Sequence, residues 1–299
     1  MNKMKSNLML LLCAMIWGSA FVAQSKGMDH IGPWTFNAMR SIIGGLTLLL
    51  LMPLLDKVRN VKKEEITNKK ELLKGGILCG VVLCFASFFQ QKGIQFTTVG
   101  KAGFLTALYT IAVPVLGIFI GKKTRPLVWI CVVISVIGFY FLSMQESFTL
   151  GTGDGLVLAG SLLFAIHILV IDYFSPKTDG VRLSCIQFFT AGMISLVPMF
   201  LFEQPSFYAV IQAASPILYA GVLSSGAGYT LQIVGQRGAD PAVASLLLSL
   251  ESVFAAISGF LFLHQVLSGR ELLGCTLIFI AIILSQLPEK KLSSNKKRL

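Results

Sequence analysis

Polar cover is what this sequence has least of. Its 299 residues include only 14 Asp and Glu, and charged residues of every kind make up 13%, about half the usual share of a soluble chain. A water-soluble protein of this length could not clothe its surface with that inventory. There are three histidines and six cysteines; the cysteines all fall inside apolar runs and none forms a CxxC pair. Such spacing supports neither a zinc site nor a disulfide framework, so Cys13, Cys79, Cys84, Cys131, Cys185 and Cys275 read as small packing residues. HExxH, GxSxG and Walker A motifs are missing as well, which removes the common hydrolase chemistries and ATP-driven pumping. Neither an enzyme nor a bound metal or cofactor is expected.

What is present is hydrophobic: 55% apolar residues and a mean hydropathy of +0.77. Leu, Ile, Val and Phe come in runs of about 20, the length that crosses a bilayer as a helix. The expected spans are 7–26, 33–55, 72–93, 98–120, 127–144, 154–174, 182–202, 215–236, 240–262 and 268–287. This is an all-α membrane protein of ten transmembrane helices. Asp240-Pro241 and Asp154 supply helix-start signals as N-caps. The first run follows Lys3 and Lys5 and continues to about Val22 without a cleavage site, so it reads as a retained helix and not a signal peptide.

The net charge of +11 is distributed as a topology signal. With the N-terminus inside, twenty of the 25 Lys and Arg fall on one side, concentrated in 55–74, 121–126 and the C-terminal tail. Both termini are therefore expected in the cytoplasm, in a multi-pass protein of the inner or plasma membrane. Lipid is its surrounding partner. No basic patch is interleaved with aromatics, so nucleic acid is not expected as a partner. The longest loop, 56–71, leaves no room for a soluble catalytic domain.

The chain also repeats itself. Shifted by 147 residues, Trp17-Gly18-Ser19-Ala20 faces Phe164-Ala165-Ile166-His167, and Arg40 and Gly45 face Gln187 and Gly192. Shifted by 142, Gln90 faces Gln232, Gly93 faces Gly235, Leu108 faces Leu250, Tyr109 faces Glu251 and Gly117 faces Gly259. The halves run 7–144 and 154–287. Five spans per half is an odd number, so the second half is expected upside down, giving two inverted five-helix repeats. Inverted repeats provide two near-equivalent packings open to opposite sides, the basis of alternating access to a midplane site.

Trp17-Gly18-Ser19, the Arg40 helix after Pro33, Gly153-Asp154 and Ala244-Ser245-Leu246-Leu247-Leu248-Ser249-Leu250-Glu251 resemble the EamA-type transporters of the drug/metabolite transporter superfamily. The resemblance covers about 7–287. It implies a ten-helix bundle of two inverted repeats that exports amino acids, metabolites or drugs. The sequence differs in having Ser252 after Glu251, Leu263-His264-Gln265 where Gly-Glu is common, and Gly121-Lys122-Lys123 at the matching point of the first half.

Ionisable groups deep in a membrane are costly and mark function. Glu251, near the middle of its span, is the leading candidate: a carboxylate for proton coupling or for a substrate ammonium, against a protonated or Ser-bonded structural Glu that holds two helices together. Arg40, with Asn37 one turn before it, could clamp a substrate carboxylate, pair with a neighbouring helix or snorkel to the outer surface. Trp17 and Tyr109 could stack on a small-molecule substrate, while Gln90, Gln187, Tyr229 and Gln232 offer uncharged hydrogen bonds. His167 reads as a relay or a packing residue. Lys101 is expected to snorkel, Asp172 to snorkel or pair with a loop, and Pro114 to bend its helix beside Tyr109. Gly76-x-x-x-Gly80, Gly117-x-x-x-Gly121 and the small-residue run Gly221–Gly228 should allow close helix crossings. Together these point to a secondary transporter that exports a small metabolite, amino acid or drug by alternating access, with proton coupling through Glu251 as one option and a lipid or lipid-linked-sugar flippase as the alternative. Gly151-Thr152-Gly153-Asp154 spells the GxGD of intramembrane aspartyl proteases. Such a dyad needs a second Asp on an adjacent helix, and the run 127–144 has none.

Overall fold

The backbone of an apolar run in lipid must satisfy its own hydrogen bonds, which a helix does within one segment. The computed structural model describes residues 3–59, 68–97, 99–143, 151–237, 239–263 and 268–287, and among these every regular element is helical. Lys62, Lys63, His264, Gln265 and the basic tail from Lys290 lie outside the described residues. In chain order the helices are α1 (Lys3–Gly27), α2 (Pro33–Arg59), α3 (Lys69–Ile94), α4 (Val99–Ala107), α5 (Tyr109–Phe119), α6 (Pro126–Ser143) and α7 (Thr152–Phe174). There follow α8 (Gly180–Pro198), α9 (Phe207–Gln212), α10 (Ala214–Leu218), α11 (Thr230–Gln236), α12 (Pro241–Leu248), α13 (Glu251–Leu263) and α14 (Gly269–Ser285). Wider π-helical turns, Met199–Glu203 and Tyr219–Tyr229, continue α8 and join α10 to α11.

Eight stretches are long and apolar enough to cross a membrane: Lys3–Gly27, Pro33–Lys57, Lys69–Ile94, Val99–Phe119, Thr152–Phe174, Gly180–Glu203, Ala214–Gln236 and Pro241–Phe262. Two more apolar helices, Pro126–Phe141 and Leu272–Ser285, are shorter. Of the ten expected spans, eight correspond to helices long and apolar enough to cross a membrane and two to these shorter apolar helices.

Polar contacts fix which helix ends share a face. At one face the Lys3 ammonium meets the Gln286 carbonyl, Arg125 donates to the Ser285 and Leu287 carbonyls, Lys122 pairs with Asp172, and Arg182 pairs with Asp56 at 2.5 Å. At the other, Lys101 pairs with Asp154 at 2.6 Å. There too the Glu203 carboxylate caps the start of α2, accepting from Trp34 N (2.8 Å), Thr35 N (2.7 Å) and Thr35 Oγ1 (2.7 Å). Helix α1 therefore starts at the lysine-rich face, where α7 ends. Packing pairs also come in matched sets: α2 lies on α8, α6 on α14, and the α3–α7 contact has its counterpart in α1 against Tyr219–Tyr229 and α11.

Local signals resolve as follows. Asp240 caps α12, accepting from Ala242 N and Val243 N at 2.8 and 3.2 Å, with Pro241 in the first turn. Asp154 is not an N-cap: Gly151 holds that position, and Asp154 reaches back from the third helical residue to accept from Gly151 N at 2.8 Å. Lys101 is held by Asp154, the third residue of α7. Gly76 and Gly80 do permit a close crossing, since a Cβ on Gly80 would lie 2.6 Å from the Gln187 carbonyl. Gly117-x-x-x-Gly121 is no crossing. Gly121, at φ +76°, terminates α5 in a left-handed cap with Lys122 N donating to the Gly117 carbonyl at 2.9 Å, a conformation glycine adopts without strain. The fourth span breaks at Leu108, six residues before Pro114, and α5 runs through the proline unbroken.

Candidate functional site

Two spans are interrupted. One breaks at Leu108, between α4 and α5, and the other at Ser249-Leu250, between α12 and α13. Under the 142-residue register these are the same position. Tyr109 opens α5 and Glu251 opens α13, so each break delivers a polar side chain from a freshly started helix into the interior. Interrupted helices at membrane depth are tolerated where they line a cavity.

They do so here. Between them lies a narrow cavity with about 30 Å³ of free volume, room for about two waters. Its polar wall comprises Arg40, Gln90, Tyr109, Tyr229, Gln232 and Glu251, all buried. Trp17 completes it, stacked at a tilt on Tyr229 with ring centroids 4.5 Å apart. Two glycines give this wall its shape. Gly18 lets α1 close on the break, since a Cβ there would lie 2.6 Å from the Glu251 carbonyl. Gly228 makes room for the Trp17 indole, whose Nε1 is 2.7 Å from where its Cβ would be. The small-residue run Gly221–Gly228 thus serves the cavity as well as helix packing, and it winds as a π-helical turn that carries Ser224 and Tyr229 inward.

The charges are the unusual part. Arg40 is 4% exposed and Glu251 3%. Among the described residues neither has an opposite charge within 4 Å, and they do not pair with each other. Arg40 is held from behind: its Nε donates to Asn37 Oδ1 at 3.1 Å, and Asn37 Nδ2 donates to the Cys84 carbonyl at 3.1 Å. That anchor turns the guanidinium toward the cavity and away from the membrane surface. Glu251 Oε1 and Gln232 Oε1 are buried acceptors without a hydrogen-bond partner among the described residues, and the Tyr109 phenol stands within reach of the Glu251 carboxylate, so free acceptors lie on the Glu251 side and the guanidinium donors on the Arg40 side.

Seven of the ten sequence candidates line the cavity: Trp17, Arg40, Gln90, Tyr109, Tyr229, Gln232 and Glu251. The other three stand behind it. Asn37 positions Arg40, while His167 Nε2 lies 3.1 Å from Gln187 Oε1 and packs edge-on against Tyr229. Sequence reading passed over Gln24, Thr106 and Ser224 in the wall. Thr106, which accepts from Gln90 at 3.1 Å, stands opposite Leu248 in the repeat register and so left no symmetric polar signal. Asp154, the GxGD aspartate, is bound to Lys101 and Thr97, far along α7 from Asp172.

Comparison with known proteins shows what the chain is similar to. The family described as the EamA-like transporter family matches residues 4–144 and again 151–287. An uncharacterized transporter of Archaeoglobus fulgidus is 27% identical over 96% of this chain and 87% of its own length. The threonine/homoserine exporter RhtA of Escherichia coli is 25% identical over 97% of this chain and 94% of its own length. One solved crystal structure superposes with a TM-score of 0.78 at 16% identity, covering 95% of this chain and 97% of that one, a likeness of fold.

Proposed function

This chain belongs to the EamA-like transporter family, and we propose that it is a secondary exporter of a small zwitterionic metabolite, an amino acid being the simplest case. One observation carries the reading: Arg40 and Glu251 line the same buried cavity, each without a counter-charge from the described chain. Burying a charge is tolerable only when something pairs it. A solute with a carboxylate at one end and an ammonium at the other satisfies both at once, the guanidinium through its planar fork. The name of the threonine/homoserine exporter among the relatives supports that class.

The accompanying architecture is ten spans in two inverted five-helix halves, alternating access about the matched breaks, and both termini on the cytoplasmic side of the cell membrane. Support comes from the equivalent positions of Leu108 and Leu250 and from the crowding of basic residues at one face. The cavity has room for about two waters, which fits a state narrowed between loading and release. After the solute leaves, Glu251 again lacks a cation, and a proton is the smallest one that relieves it. Exchange of substrate for proton then follows from one carboxylate serving both.

Counterflow of labelled threonine, homoserine and a wider amino-acid panel into proteoliposomes tests this. Saturable counterflow of at least one zwitterion is expected, lost in Arg40→Gln and Glu251→Gln proteins that retain wild-type thermal stability. No counterflow of any zwitterion would reject the substrate class. Full proton-gradient-driven flux in Glu251→Gln would reject the coupling role.

A further inference from the structure

Away from the central cavity, a groove of about 1030 Å³ opens on the flank of the bundle near the lysine-rich face. Its floor is apolar, with Leu116 and Phe119 of α5 among its residues, and Phe119 is 82% exposed. Three lysines from three separate elements converge on it: Lys74 on α3, Lys122 in the turn after α5, and Lys177 just past α7. The groove's one acid, Asp172, is taken by Lys122. Lys74 and Lys177 are exposed, and the Lys177 ammonium sits 3.1 Å over the Tyr173 ring, an aromatic itself half in the open. Among the described residues, the balance of the groove is therefore two uncompensated cations beside a long apolar trough.

We propose that this groove is a binding site for one anionic glycerophospholipid, its phosphate between Lys74 and Lys177 and its acyl chains along Leu116 and Phe119. Charge complementarity selects the anionic headgroup, because a zwitterionic lipid brings its own cation against both lysines. The apolar floor selects a lipid over a free phosphate ester, which would leave that surface unfilled. Basic clusters between membrane helices capture anionic headgroups for the same reason. The site also touches α5, the helix that Tyr109 opens, so the bound lipid packs against the broken span.

Native mass spectrometry of the full-length protein, titrated with phosphatidylglycerol or phosphatidylcholine of identical chains, tests the assignment. Each lysine near an anionic surface contributes about a fivefold factor, so the pair gives roughly 30-fold preference for phosphatidylglycerol. Lys74→Gln/Lys177→Gln should lose most of that preference. Lys26→Gln/Lys92→Gln, at the opposite face, should keep it and controls for a general loss of charge. Glycerol 3-phosphate in excess should displace no lipid. Equal binding of the two lipids, retained preference in the groove variant, matching loss in the control, or displacement by glycerol 3-phosphate would each overturn the proposal.

Discussion

Replacing Asn37 by Asp should abolish transport without unfolding the protein. Asn37 Oδ1 accepts from Arg40 Nε at 3.1 Å, and Asn37 Nδ2 donates to the Cys84 carbonyl at 3.1 Å. An aspartate keeps the acceptor and adds a full negative charge beside a guanidinium that otherwise has none within 4 Å among the described residues. At charge centres about 4 Å apart and an effective dielectric constant of about 20, the new pair is worth up to about 4 kcal/mol. A substrate carboxylate would have to compete with that internal partner, so kcat/KM should fall by up to about 10³. Asn37→Ala acts differently. It removes the acceptor from a buried cation, costing about 1.5–3 kcal/mol, and should lower thermal stability along with affinity. The assay is counterflow with a range of substrate concentrations, beside thermal denaturation in detergent for each variant. Wild-type kinetics in a well-folded Asn37→Asp protein would refute the reasoning, because Arg40 would then not be meeting a substrate anion. A Tm loss in Asn37→Asp as large as in Asn37→Ala would equally refute it, since the new pair is supposed to compensate the lost donor.

Three further outcomes follow from particular contacts. Gly228→Ala places a Cβ 2.7 Å from Trp17 Nε1, so it should push the indole into the cavity at a cost of about 1–3 kcal/mol, raising KM and shifting Trp17 fluorescence. Lys101→Met leaves the Asp154 carboxylate, 3% exposed, without its ammonium and should destabilise by about 1–3 kcal/mol; adding Asp154→Asn should recover part of the Tm, and a double variant no better than the single would exclude a coupled pair. Glu203→Ala uncaps three donors at the start of α2 and should cost about 1–2 kcal/mol, read as a lowered Tm with transport kinetics intact.

Helix positions were legible in the sequence because a bilayer demands about 20 apolar residues at a time, and the alternation of basic loops marked one face. Depth was legible for Glu251, which stood near the middle of its span, and less so for Arg40, which stood nearer the start of 33–55. Direction around the helix axis was not. A helix that is apolar all round gives no stripe to show which way one polar side chain points, so Arg40 read equally well as a surface or an interior residue. Its orientation is decided by Cys84 and Ser195, which hold Asn37 from two other helices. The α2 cap was illegible for a related reason: Glu203 is 168 residues from Thr35 in sequence, and only the packing of α2 on α8 brings them together. Pro114 did not mark the interruption: proline removes a hydrogen bond within its own turn, while the chain breaks six residues earlier, at Leu108.

That break explains why a near-symmetric scaffold carries an asymmetric site. Duplication supplies two interrupted spans, at Leu108 and Leu250, and so two places where a helix can begin inside the bundle. Symmetric residues at both would give two acids or two phenols, and two buried carboxylates would repel each other across a narrow cavity. Here one break presents Tyr109 and the other Glu251, while Arg40 in the first half is matched by uncharged Gln187, which is turned to His167. Each half therefore contributes one charge of opposite sign, Arg40 from the first and Glu251 from the second. A solute bridging them would couple the two halves directly. If so, Arg40→Glu/Glu251→Arg should restore zwitterion counterflow that each single reversal abolishes, with the substrate bound end for end. Recovery to within about tenfold of wild-type KM would correspond to a penalty of about 1.4 kcal/mol for the exchanged geometry. A double reversal that folds, yet transports no better than either single one, would mean that Arg40 and Glu251 do not grip the same molecule.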